Sequence, residues 1–249
     1  MTTATYPTSG TTTFNLDITQ ICEEVYERCG SESRSGYDLR TTRRSLSLMM
    51  LDWANRGINL WTVDGPYSVT LVQGTNQYTL PADTVDLLDM VIRTSAGSTF
   101  NQTDLNISRI SESTYMTIPN KLTQGRPIQV WINRQSGANN TATGGVGTNN
   151  PYFTVWPTPD GSQTWTFVYY RLRQIQDVGN LGGNGMDIPW RFLPVLIAGL
   201  AYHMSWKIPG ALERMQMLKQ SYDEAWDAAA TEDREKASIR LVPRQTFMQ

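Results

Sequence analysis

YDLRTTRRSLSLMMLDWANRGINLWTV, residues 37–63, sets the architecture of the whole chain. Leu39, Leu46, Met49, Met50 and Trp53 recur at spacings of three, four and seven, which draws one apolar stripe along a helix. Asp38 is suited to cap the start, and Gly57 sits just past a plausible last turn. Arg40, Arg43, Arg44 and Asp52 fall mostly off the stripe. Ile58, Leu60 and Trp61 follow the glycine stop, so the chain stays against a core as it leaves the helix. A helix with one apolar stripe needs partners. The sequence supplies three more: one before this helix and two at the far end of the chain.

The first helix is expected from about Asp17 to Cys29, with Ile18, Ile21, Cys22, Val25 and Cys29 inward and Gly30 as its stop. The short serine-rich link that follows favours an antiparallel pair with the second helix. The third helix starts near Asp187, with Pro189 in its first turn and Pro194 either kinking it or delaying its start. Trp190, Leu193, Ile197, Leu200, Ala201 and Met204 give it a wide apolar face. After Pro209-Gly210 the fourth helix runs to about Lys236. Its inward residues are Leu212, Met215, Leu218, Tyr222, Ala225, Trp226 and Ala229. Charged residues, Asp223 and Asp227 among them, fill an outer face read as solvated.

Between the helix pairs the period changes to two. Tyr67–Leu71 and Tyr78–Leu80 flank a Gly74-Thr-Asn76 turn and read as a hairpin. Val85–Arg93 reads as a strand buried on both faces near Leu87–Leu88, and Ser108–Ile118 as a short helix. Pro127–Arg134 reads as a strand with Ile128, Val130 and Ile132 on one face. Tyr152–Trp156 and Thr164–Arg171 read as a second hairpin. Residues 136–150 are rich in Gly, Asn and Thr and carry no charge, which predicts a long exposed loop. The expected fold class is therefore α+β, a four-helix bundle built from both chain ends with an inserted, mostly antiparallel β-domain. Its expected parts are an extended arm (1–14), a discontinuous helical domain (15–63 and 186–236), the inserted domain (64–185) and a C-terminal tail (237–249).

Composition narrows the function. A net charge of −2 argues against a domain that grips nucleic acid through a basic face. Charged residues make up 18% of the chain, below the usual quarter, so a neutral polar exterior is expected, which suits packing against other copies and equally a lone β domain. Residues 1–13 have no Lys or Arg and no apolar core, and do not read as a signal peptide. No apolar run reaches the ~18 residues of a membrane helix. Cys22 and Cys29 on one helix would lie ~10 Å apart, too far for a disulfide, and read as reduced core thiols.

No constellation points to a reaction. His203 stands alone, without H-x-x-x-H, C-x-x-C or G-x-S-x-G, and reads as a satisfied helix histidine. The glycine clusters at 144–147 and 182–185 lack the Lys-Ser/Thr of a phosphate loop. Asp83, Asp86 and Asp89 form a conceivable carboxylate set for glycoside chemistry, with Asp83 better read as a turn cap. Trp131, Trp156 and Trp165 suit either a sugar-stacking face or a β core. Arg43-Arg44 reads as an inter-subunit salt bridge or a solvated face. No catalytic residue, metal or cofactor is assigned.

The order of segments carries a resemblance. ANRGINLW closes the N-terminal helix pair, followed by QYTLPAD, VDLLDMVIR, YMTIPNK, GRPIQVWINRQ and VWPTPD. DIPWRFLPVLIAGLAYHMSWK then leads into a long helix. From about Phe14 to Lys236 this resembles the head-to-tail adaptor proteins of short-tailed bacteriophages, the tail tubular protein A-like family. The resemblance implies a structural virion protein without catalysis, assembled as a ring, usually dodecameric, beneath the portal. DNA passes through the bore without specific binding, and the β-domains face the tail nozzle or fibres. Twelve copies would carry about −24, a repulsive lining where it faces inward. The alternative is a carbohydrate-binding or hydrolytic tail component that uses the β-domain.

The tail, ASIRLVPRQTFMQ, is too apolar to be a solvating end, and Pro243 breaks any helix. It reads as a segment that docks on another chain or as a frayed terminus. Under the resemblance the docking partner is the portal, with Leu241, Val242 and Phe247 as apolar contacts and Arg240 and Arg244 pairing with portal carboxylates.

Overall fold

The computed structural model describes residues 14, 16–33, 36–57, 60–134, 150–177, 179 and 186–233. The expected arm (except Phe14), nearly all of loop 136–150 and the whole C-terminal tail lie outside the described residues. The chain is α+β and falls into two compact units, Met1–Leu60 with Gln176–Gln249, and Trp61–Ile175.

The first unit holds α1 (Ile18–Arg28), α2 (Gly36–Asn55), α4 (Leu193–Ser205) and α5 (Met215–Glu232); α3 (Glu112–Met116) belongs to the second. Asp17 caps α1 in a full capping box: its carboxylate accepts from the Gln20 backbone at 2.8 Å, and the Gln20 side chain accepts from the Asp17 backbone at 3.2 Å. The α2 helix begins at Gly36, three residues earlier than a cap at Asp38 implies. Asp38 therefore sits in the first turn, where its charge favours the helix N-terminus, rather than at the cap.

Pro194 delays α4: a 3-10 turn at Trp190–Phe192 precedes it, and the proline falls at the first helical positions, where its missing N–H costs nothing. Val195 to Ala201 are all buried. A helix apolar on every side belongs in the middle, and α1, α2 and α5 all pack on α4. The helical core is thus organised on one central helix. Leu46, Met49, Trp53, Ile197, Leu200 and Tyr222 are buried as expected, while Leu193 and Met215 are only partly covered. Trp190 and Leu212, expected inward, are largely exposed. Both lie in 3-10 turns, whose three-residue period takes them off the α-helical stripe.

The second unit contains two four-stranded sheets. One has the order β1 (Val63–Thr70), β10 (Trp165–Arg173), β3 (Thr84–Thr94), β4 (Thr103–Asn106), all antiparallel. The other has the order β2 (Gln77–Thr79), β8 (Tyr152–Trp156), β7 (Gln129–Asn133), β5 (Ser108–Ile110), with only β5–β7 parallel. A short parallel pair joins β6 (Gln124–Gly125) to β9 (Thr158–Pro159). One core holds both sheets: Leu87, Ile92 and Phe167 from the first meet Val130, Phe153 and Val155 from the second. Phe153 and Phe167 stack with ring centres 4.4 Å apart.

Neither expected hairpin forms, because each pair of neighbouring runs is divided between the sheets. After β1 the chain turns a corner rather than reversing. The Tyr78 hydroxyl accepts from the Val72 backbone and donates to Thr75 O, both at 2.8 Å, and holds that corner. The arrangement lets Leu71 and Leu80 enter one core from opposite sides. Asp160 holds the second corner by accepting from Ser162 and from Trp165 Nε1 at 2.9 Å. Leu88 and Ile128 point outward where regular alternation is interrupted: Ile128 precedes the first residue of β7, and the buried parity of β3 changes between Leu87 and Ile92, where the pairing with β10 shifts register. Ser108–Ile118 divides into β5 and the one-turn α3, which Ser111 caps.

Candidate functional site

Arg240, Leu241, Val242, Arg244 and Phe247, the expected docking residues, lie outside the described residues. The described residues place the conspicuous surface chemistry on the outsides of α2 and α5.

Thr42, Leu46, Met49 and Trp53 turn α2 inward. On its opposite side Tyr37, Arg40, Arg44, Leu48, Leu51 and Asn55 follow one another at intervals of three and four, and all are exposed. Tyr37, Leu48 and Leu51 are each more than 60% exposed. Two leucines at the centre of a solvent face are unusual for a helix whose other side already fills a core. Along one flank of this stripe Arg40, Arg43, Arg44 and Ser47 line a cleft of about 320 Å3, closed opposite by Asp177 and Gly179. Arg40 and Arg44 are a like-charged pair four residues apart, and neither has a hydrogen-bonding or ion-pairing partner among the described residues.

The exterior of α5 has the opposite sign. Met217, Gln220, Glu224, Asp227 and Thr231 form its outermost stripe, with Asp223 beside it, and all are exposed. The Gln220 amide donates to Glu224 at 2.8 Å, while the Asp227 carboxylate has no partner among the described residues. Both helices are anchored from behind. Trp53 Nε1 donates to the Tyr222 hydroxyl at 2.9 Å, and the Trp53 ring packs against Trp226 with centres 5.2 Å apart. Lys207 reaches Ser45 at 2.6 Å, and Arg191 pairs with the fully buried Asp233 at the end of α5.

The titratable groups inside this unit are packing elements. Burial pushes the Cys29 thiol up to about 11 as it donates to Ala201 O, and the Tyr26 hydroxyl up to about 12. Cys22 lies 3.3 Å from the Thr42 hydroxyl, and both cysteines are free and buried. Burial also lowers the His203 pKa below its ordinary value.

In the β unit two of the three acidic candidates are committed to ion pairs. Asp83 meets Arg171 at 2.5 Å, and Asp86 is held by Arg109 at 2.9 Å and Arg134 at 3.4 Å. Asp89 is exposed. Trp165 is buried in the core, and the half-buried Trp131 stacks on Tyr115 with centres 5.3 Å apart. Trp156 spends its indole N–H on Asn120 O at 3.1 Å. The three tryptophans therefore do not share one open face. Among the described residues no group of three or more His, Cys, Asp or Glu is placed to hold a metal, and no helix is long and apolar enough to cross a membrane.

Sequence reading picks out only the buried stripe of α2. The signal for the outer one was present, since the interval pattern through 37, 40, 44, 48, 51 and 55 is as helical as the buried stripe.

Comparison with known families gives the class of the chain. A model of the SU10 adaptor protein family matches residues 17–244, from the cap of α1 to beyond α5. The chain belongs to that family, whose members are phage head-to-tail adaptors found at the virion's tail junction. No curated protein matches the chain.

Proposed function

We propose that this protein is one subunit of a ring that joins the portal to the tail and forms part of the DNA channel through which the genome is retained and ejected. The family match over residues 17–244 carries the reading. The net charge of −2 supports it, since a conduit that attracted phosphate would hold DNA rather than pass it. In this reading the helices of both chain ends act as one four-helix bundle, and residues 64–185 are a domain inserted into it. The bundle meets the portal, and the inserted domain meets the tail nozzle or fibres. A dodecamer is the expected ring, assembled in the host cytoplasm.

The C-terminal segment is assigned to the portal contact. Leu241, Val242 and Phe247 supply apolar anchors, and Arg240 and Arg244 pair with carboxylates. Ordering such a segment consumes part of its contact energy, so a single protomer binds weakly and the ring gains by avidity. The test is co-sedimentation of the protein with purified portal, intact and with residues 238–249 deleted. Loss of binding by a truncated protein that keeps its circular dichroism supports the assignment. Unchanged binding refutes the tail's role, and no binding by the intact chain refutes the adaptor reading itself.

A further inference from the structure

The outward stripes of α2 and α5 belong to the same chain, and each lacks what the other has. We propose that the α2 face of one copy docks antiparallel on the α5 face of the next, a contact between two different surfaces of one chain. This rests on the adaptor reading, under which copies associate, and adds which faces meet.

Spacing and sign carry the pairing. Arg40 to Leu51 spans eleven residues of α2, about 16 Å, and Asp227 to Met217 spans ten of α5, about 15 Å. Laid antiparallel, Arg40 faces Asp227, Arg44 faces Glu224, Leu48 lies over the Gln220 stem, and Leu51 meets Met217. The parallel arrangement sets Arg40 against Met217 and Leu51 against Asp227. Self-pairing fails in the same way: two antiparallel α2 faces set Leu51 against Arg40, and two α5 faces set Met217 against Asp227.

Each face also carries an internal cost that the partner removes. Arg40 and Arg44 repel four residues apart on α2, as Asp223 and Asp227 do on α5. The cleft beside Arg40, Arg43, Arg44 and Ser47 sets three arginines against the single carboxylate of Asp177, which leaves a cationic surplus for an incoming carboxylate. Leu48 and Leu51, exposed in the protomer, become the water-excluding centre of the contact. A contact between unlike surfaces propagates head to tail and closes into a ring when the rotation allows, whereas a two-fold contact stops at a dimer.

The test uses the full chain in analytical ultracentrifugation over a range of concentration and salt. The wild type should self-associate, less strongly as salt rises. Arg44→Glu and Glu224→Arg should each weaken association roughly tenfold or more, because like charges replace an opposed pair. Mixing the two variants should restore it, since copies of the two kinds in alternation again set opposite charges against each other at every junction. Circular dichroism and melting establish that each variant is folded. Independently, Leu51→Cys/Met217→Cys should give an intermolecular disulfide ladder on mild oxidation, and the two single cysteine variants mixed should give dimers only. Cys22 and Cys29 are buried and do not compete. Three results overturn the proposal: single variants that assemble like wild type, a mixture that fails to recover, or a wild type that stays monomeric with no ladder. None of these decides the adaptor reading, which stands or falls on portal binding.

Discussion

Gly199→Ala sets two opposed effects against each other, and the structure decides the sign. Gly199 lies inside α4, where replacing glycine by alanine ordinarily stabilises a helix by about 1 kcal/mol. A Cβ at this position would stand 2.7 Å from Tyr222 Cε2 and 2.9 Å from Met49 Sδ. Carbon atoms pack best at about 3.5–4.0 Å, so the neighbours must retreat by most of an ångström. They sit on two different helices. Tyr222 is pinned on α5 by the hydrogen bond from Trp53, and Met49 is fully enclosed on α2. A shift of either helix reopens its contact with α4. Overpacking of this kind costs about 1–3 kcal/mol, and with both neighbours constrained the upper part of that range applies. After the propensity gain, a net loss of about 1–2 kcal/mol remains. For a chain of this size that lowers the melting temperature by about 2–8 °C. Urea titration followed at the helical circular dichroism band reads the change. Ala228→Gly, on the exposed side of α5, isolates the propensity effect and should cost about 1 kcal/mol. A Gly199→Ala protein as stable as wild type, or more so, would refute the close approach of the three helices.

Removing Arg171, whose guanidinium is buried between Asp64 and Asp83, should destabilise the β unit. Arg171→Ala should cost about 3 kcal/mol, the low end for breaking a buried pair, because both carboxylates remain partly hydrated; a loss below about 1 kcal/mol in denaturant titration would contradict this. The Tyr67 hydroxyl, aided by Arg171, holds the Asp64 carboxyl below its usual range. That contribution is present above the ordinary carboxylate range and is lost as pH falls below about 4, so Tyr67→Phe should flatten stability against pH there. His203 acts near neutrality: its depressed pKa means that the unfolded chain binds the proton first, so stability falls as pH drops below about 6.5. His203→Gln should reduce that slope, and an unchanged slope would show that the imidazole is already hydrated in the fold.

Local sequence was enough to place the four long helices and the strands β1, β2, β3, β7, β8 and β10, and to say which side of most of them is buried, but not to place the short strands β4, β5, β6 and β9. Hydrophobic period is a local property of the chain, so Ile18–Val25, Leu46–Trp53 and Leu218–Ala229 could be oriented without knowing their partners. The order of the elements also carried the adaptor resemblance, because order survives where single motifs do not. Packing settled what period cannot express. An alternating strand presents the same face to either of two sheets, so the division of Tyr67–Leu71 from Tyr78–Leu80, and of Tyr152–Trp156 from Thr164–Arg171, follows only from how two apolar faces close on one core. In α4 the apolar residues lie on every side, so its central place among α1, α2 and α5 comes from packing rather than from a stripe. The α2 exterior shows the same limit in reverse. Arg40, Arg44, Leu48 and Leu51 had a legible helical spacing, but whether leucines face a core or solvent depends on which side of the helix finds the better partner. Met49 and Trp53 won that competition against α4 and Tyr222, and the second stripe was left facing outward.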